Sequence, residues 1–209
     1  MSDLAMTLKQ RWLDQMNALG QSPNEPVIDK LLAAYAEPHR RYHGLTHLEY
    51  IFAEIDRMAG EFREPGRVWL AAWFHDAIYN TKAKDNEVRS ARLAHEELAG
   101  LALADGLVDR VTALIEATAS HQDGGSDHDD DLFLDIDFSI LGAPPEIYDR
   151  YAEGVREEYG WAPGLLYRQG RRAFLKSARK APRIFLTDHY ESRLGDQARE
   201  NMRRELELL

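Results

Sequence analysis

Cysteine is absent from the 209 residues, which removes disulfides, thiolate metal sites and cysteine nucleophiles together. Any metal site must therefore be built from His, Asp and Glu, ligands that suit harder ions and hydrolytic chemistry. Long apolar runs are also lacking. The strongest, Val68 to Phe74, is far too short to span a bilayer. The opening segment MSDLAMTLKQRWLDQM scatters charges and has no apolar h-region, so no secretory signal is expected. Positive charge is scarce: 26 Lys and Arg face 36 Asp and Glu, a formal net charge of −10. That balance argues against a nucleic-acid backbone or an anionic membrane as the main partner. A small anionic substrate stays compatible, because local cations and a metal overrule the global sign. The cytoplasm is the expected location.

What is present reads as a soluble globular chain, 44% hydrophobic and 30% charged, long enough for one large domain. Helical spacing of apolar residues recurs almost everywhere and strand-like alternation almost nowhere. Leu4, Leu8, Trp12 and Met16 form one stripe; Val27, Leu31, Leu32 and Tyr35 form another after Pro26. Thr46-His47-Leu48-Glu49 reads as a capping box opening a helix with Leu48, Ile51, Phe52, Ile55 and Met58 inward and Gly60 at its end. Pro65-Gly66 opens a helix to about Tyr79 that is apolar nearly all round and belongs in the middle of a bundle. Further helices are expected from about Asn86 to Ala99, Ala104 to Ser120, Asp131 to Leu141, Pro145 to Tyr159, Pro163 to Lys180 and Asp196 to Leu208. No repeat, linker or low-complexity tract interrupts them. The expectation is one all-α domain over residues 1–209, a helical bundle with its chemistry in about 46–142 and helices 144–208 packed on it.

His75 and Asp76 follow seven apolar residues on the helix expected to be most buried. An ionised carboxylate buried there needs a counter-charge. An arginine from another helix would serve, and so would a divalent cation shared by imidazole and carboxylate. Two further residues favour the cation. His47 is in phase with Ile51, Ile55 and Met58. Asp137 has Phe133, Leu134, Ile140 and Leu141 as its helical neighbours, whereas Asp135 has the mixed set Asp131, Leu132, Phe138 and Ser139. Asp137 is thus the preferred ligand and Asp135 the fallback. The acidic run Asp127 to Asp131 is more simply read as first-turn charge complementing a helix dipole. Two His and two Asp would leave positions open for water on a six-coordinate ion, as hydrolysis requires.

The ordered set His47, His75-Asp76 and Asp137 resembles the HD superfamily of metal-dependent phosphohydrolases, and most closely a group of bacterial HD proteins of about this length. Arg41-Tyr42-His43, Trp73-Phe74-His75-Asp76-Ala77-Ile78-Tyr79, Asp85-Asn86-Glu87 before Ser90-Ala91, Ala117-Thr118 before His121, and Asp137-Phe138-Ser139-Ile140-Leu141-Gly142 carry the resemblance. So do Arg172-Ala173-Phe174-Leu175, Ile184-Phe185 and Ala198-Arg199-Glu200-Asn201 in the tail. The resemblance implies an HD-type helical domain that holds a divalent metal (Mg, Mn, Fe, Co or Ni) on those four residues. It implies hydrolysis of a small phosphate ester, a nucleotide among the candidates.

Well-studied members steer the attacking water with a carboxylate shortly after the His-Asp pair. Here no acid follows until Asp85 and Glu87, which makes Glu87 the candidate base and a helix N-terminal charge its alternative. Members with a second metal use extra histidines in this interval; His95 and His121 are the ones on offer. His121 is equally a phosphate donor or a helix-terminal residue. His43, Arg41 and Lys82 are candidate substrate contacts, with Lys84, Arg168 and Arg171 behind them, against a reading as solvated surface charge. His39, His128 and His189 read as surface residues. Two alternatives stand beside the phosphohydrolase: a di-iron HD-type oxygenase and a catalytically silent nucleotide-binding HD sensor.

Overall fold

A computed structural model describes residues 2–209, the Gln122 side chain excepted, and among them every regular element is helical. In chain order these are α1 (Asp3–Ala18), α2 (Glu25–Tyr35), α3 (Leu45–Arg57), α4 (Pro65–Phe74), α5 (Asn86–Leu98), α6 (Leu107–Ala117), α7 (His128–Phe138), α8 (Pro145–Glu158), α9 (Gly164–Lys180) and α10 (Asp188–Leu208). Two 3-10 turns, Thr118–Asp123 and Ser139–Gly142, follow α6 and α7. The bundle is a single compact all-α domain, and no described helix is long and apolar enough to cross a membrane.

Helix α4 is the axis of the bundle. Val68, Leu70, Ala71, Ala72, Trp73 and Phe74 are all buried, and α3, α5, α6 and α7 pack around them. Trp73 meets Trp12 of α1 edge-on at 5.6 Å, and its indole N–H donates to Gln15 Oε1 at 2.7 Å, so its one polar atom is satisfied inside the core. The C-terminal helices close over the 3-10 turn after α7. Gly142 permits this, because a Cβ there would stand 2.5 Å from Leu194 Cβ and 2.8 Å from the Leu194 carbonyl oxygen. Buried Asn201 of α10 donates to the Leu141 and Ala143 carbonyls of the same turn at 2.9 and 2.8 Å.

Several helix ends differ from the sequence expectation. The Thr46 capping box does not form: Gly44 precedes the first turn of α3 in extended geometry and Thr46 lies inside the helix. Helix α4 stops at Phe74 rather than near Tyr79, so His75 and Asp76 stand just beyond its C-terminus. Helix α7 starts at His128, three residues before Asp131, because the Asp127 carboxylate accepts from the Asp129 and Asp130 N–H groups. Helix α10 starts eight residues before Asp196. Thr187 caps it, and Gly195 sits buried inside it, where a Cβ would lie 2.9 Å from the Glu191 carboxyl carbon.

The acidic run before α7 is not merely dipole charge. Arg67, only 1% exposed, is held by three of its members. Its guanidinium donates to Asp127 at 2.7 Å and lies 3.7 and 3.4 Å from buried Asp129 and Asp130. Asp129 also accepts from the Arg63 and Glu64 N–H groups. The run is a structural clasp between the start of α4 and the start of α7.

Candidate metal centre

Three helices deliver donor atoms of His47, His75 and Asp137 to one point, with Asp76 beside them. His47 lies in the first turn of α3, His75 and Asp76 follow the end of α4, and Asp137 is in the last turn of α7. His47 Nε2 stands 3.3 Å from His75 Nε2, 3.2 Å from Asp137 Oδ1 and 3.8 Å from Asp76 Oδ2. His75 Nε2 stands 3.4 Å from Asp76 Oδ2 and 3.7 Å from Asp137 Oδ1. His47, His75 and Asp137 form a group that could hold a metal ion, and Asp76 Oδ2 lies beside both of its imidazoles. Two of the contributing segments are helix C-termini, whose partial negative charge favours a cation.

The donor chemistry fits an ion. His75 Nδ1 lies 2.9 Å from the Ala72 carbonyl, so that nitrogen carries the proton and Nε2 offers its lone pair to the cluster. Two facing imidazole nitrogens with no proton between them repel unless a cation joins them. Atoms at right angles on an ion, each about 2.1 Å from it, are about 3 Å apart, close to the separations here. Asp76 and Asp137 form ion pairs only with histidines among the described residues. Burial disfavours charge on His75, but Asp76 and Asp137 outweigh it and raise the imidazole to about 9. Burial likewise pushes Asp76 and Asp137 up, and the surrounding histidines hold both well below the usual carboxylate range.

The surrounding residues orient this set. His121 Nε2 bonds Asp137 Oδ2 at 2.8 Å, and its ring stacks on Phe138 at 4.7 Å, so Asp137 keeps Oδ1 turned to His47 and His75. The backbone makes this possible by leaving helical geometry at Ser120 (φ −143°, ψ 68°), where the expected helix was to end. Arg40, buried and missed in the sequence, donates to the His43, Asp76 and Ala77 carbonyls at 3.2, 2.6 and 3.1 Å and pins the turn bearing Asp76. No periodic signal could have found it, since it lies between helices.

Glu158, the last residue of α8, is the other residue that sequence reasoning missed. One carboxylate oxygen accepts from three consecutive N–H groups, Arg41, Tyr42 and His43, at 2.7, 2.8 and 2.9 Å. The second lies 2.7 Å from His43 Nδ1 and accepts the Tyr79 hydroxyl at 2.8 Å. Burial would raise its pKa, but the His43 bond and charge outweigh it and hold Glu158 at about 2. His43 in turn is desolvated, which disfavours its charge, yet Glu158, Asp76 and Asp137 raise its pKa. Its ring stacks on Tyr79 at 4.4 Å and meets His47 edge-on at 5.8 Å, which places it at the rim of the cluster. A sequence signal for Glu158 did exist: it falls in phase with Tyr151 and Val155 of α8.

The remaining candidates divide. Asp135 is no ligand, because Leu186 N, Thr187 N and Thr187 Oγ1 occupy its carboxylate at 2.7, 2.7 and 2.6 Å. Glu87 is half-buried in the first turn of α5 and interacts electrostatically with Tyr159; no described hydrogen bond or ion pair joins it to the cluster. His95 is exposed on α5, so the ligand pair imagined for a second metal or a di-iron site does not assemble. Lys82 is exposed and stands 5.4 Å over the Trp161 ring, beside a separate cavity of about 610 Å³. Arg41 is exposed and pairs with Glu157 at 3.2 Å. Arg171 is not a surface cation: it is buried and bonded to Glu205 at 2.8 Å and to the Tyr151 hydroxyl at 3.1 Å. No family model, no curated protein and no solved structure matches the chain.

Proposed function

We propose that this chain is a metal-dependent phosphohydrolase of the HD type, with a divalent ion held by His47, His75, Asp76 and Asp137. The observation that carries the reading is the meeting of donor atoms of His47, His75 and Asp137 at separations of 3.2–3.7 Å, with Asp76 Oδ2 3.4 and 3.8 Å from the two imidazoles and no Lys or Arg among their described ion-pair partners. The chemistry such an ion supplies when bound is Lewis acidity, which acidifies water and stabilises charge on a phosphoryl oxygen. The chain's own residues do the rest. His75 is fixed in one tautomer by Ala72, and Asp137 is fixed by His121. His43 is a substrate contact: Glu158 takes its Nδ1, which leaves Nε2 to donate to a phosphate oxygen at the rim. Glu158 is a positioning residue, since it aligns both the His43 ring and the backbone that carries it.

This arrangement departs from the one the resemblance implies in its base. Glu87 is not joined to the donor atoms, so the part of water-steering group falls to Asp76, the least enclosed of the four ligands. The test is a chelator-stripped preparation reloaded singly with Mg²⁺, Mn²⁺, Co²⁺, Ni²⁺ or Fe²⁺ and assayed for phosphate release from mononucleotides, cyclic nucleotides and sugar phosphates. Metal-dependent release that disappears in Asp76→Ala is expected. Release that persists in chelator, or in Asp76→Ala, refutes the reading.

A further inference from the structure

A second cavity, of about 480 Å³, meets the candidate metal centre only at His47 and lies between α3, α8, α10 and the 3-10 turn after α7. Its volume is in the range of sites for small organic ligands. In a chain that carries ten more acidic than basic residues, its lining is inverted: four arginines, Arg41, Arg57, Arg150 and Arg193, and one carboxylate, Glu54. Glu54 is already engaged, by Arg57 at 2.5 Å and the Tyr190 hydroxyl at 3.2 Å. Arg41 has Glu157. Arg150 and Arg193 have no carboxylate partner among the described residues, and the Arg193 contact is to the imidazole of His189. Arg57 and Arg193 both lie within electrostatic reach of the Tyr50 hydroxyl on the same wall.

Between the arginines the walls are aromatic and apolar, with Tyr50, Tyr151, Tyr190, Ile147 and Leu194 among them. Guanidiniums without a carboxylate partner and aromatic walls are what an organic anion with a ring-bearing body would satisfy.

We propose that this cavity is a binding site for an aromatic organic phosphate, held through Arg150 and Arg193 by its anionic group and through the tyrosines by its body. The site does not depend on hydrolysis at the cluster, and it is tested without it. Calorimetric titration with 1-naphthyl phosphate is made in chelator, so that neither metal nor turnover enters. The wild-type chain is expected to bind one equivalent. Arg150→Gln/Arg193→Gln, which alters two exposed side chains, is expected to bind at least tenfold more weakly with an unchanged melting temperature. 1-Naphthol, which lacks the phosphate, is expected to be at least tenfold weaker on the wild type. Asp76→Ala is expected to bind as the wild type does. Equal affinity in the double arginine variant, equal affinity for 1-naphthol, or loss of binding in Asp76→Ala would each overturn the proposal. A phosphatase screen that fails with every metal would leave this result standing, since the binding measurement needs neither metal nor turnover.

Discussion

Two buried acidic clusters sit at opposite ends of α4, and they are built differently. At its start, Asp127, Asp129 and Asp130 close on Arg67, which is as buried as any core residue. At its end, Asp76 and Asp137 meet three imidazoles, those of His47, His75 and His121, and no guanidinium among the described residues. A guanidinium always carries its charge, so the first cluster has a permanent cation supplied by the chain itself. Imidazoles can give up the proton and keep a lone pair, so the second can exchange protons for an ion from solution. The first is a fastening and the second a receptacle.

This contrast can be broken most severely at the fastening. Arg67→Met leaves Asp129 and Asp130 buried without their cation, and a loss of about 3–5 kcal/mol is expected in urea denaturation, the same with and without metal. A loss below about 1 kcal/mol would mean that the acids, and not the arginine, set the clasp. Next is Glu158. Its carboxyl is held at about 2 against an ordinary 4.5. A depressed folded-state value contributes stability above the unfolded pKa that is lost as pH falls through the folded one. The wild type should therefore lose up to about 3 kcal/mol from this group between pH 4.5 and 2. The difference between wild type and Glu158→Gln should shrink across that window, and a difference constant with pH would contradict it. Smaller again is the effect at the receptacle. Mn²⁺ at about a hundred times its dissociation constant should stabilise the wild type by about 2.7 kcal/mol, and Asp76→Asn by much less, in thermal melts.

The fold was legible because burial in a bundle imposes one period, which is strong in α3, while a helix apolar nearly all round, α4, belongs at the centre. His47, His75 and Asp137 were legible for a related reason: each is a polar residue on an apolar face. What stayed hidden depends on partners far along the chain. Asp129 and Asp130 look like first-turn surface charge until Arg67, about sixty residues earlier, is placed against them. Glu158 meets backbone donors more than a hundred residues away, and Arg40 binds carbonyls, which leave no trace in side-chain pattern. Helix ends were misjudged where a local device overrode composition: the Asp127 cap starts α7 early, and the Thr187 cap starts α10 eight residues before Asp196.

The central claim is that the His47, His75, Asp76 and Asp137 cluster takes a divalent ion. It is tested most directly by titrating chelator-stripped protein with Mn²⁺ and counting the free ion by electron paramagnetic resonance. One tight site per chain is predicted for the wild type, and its loss in Asp137→Asn. No binding at millimolar Mn²⁺, or a site that survives Asp137→Asn unchanged, would contradict the account.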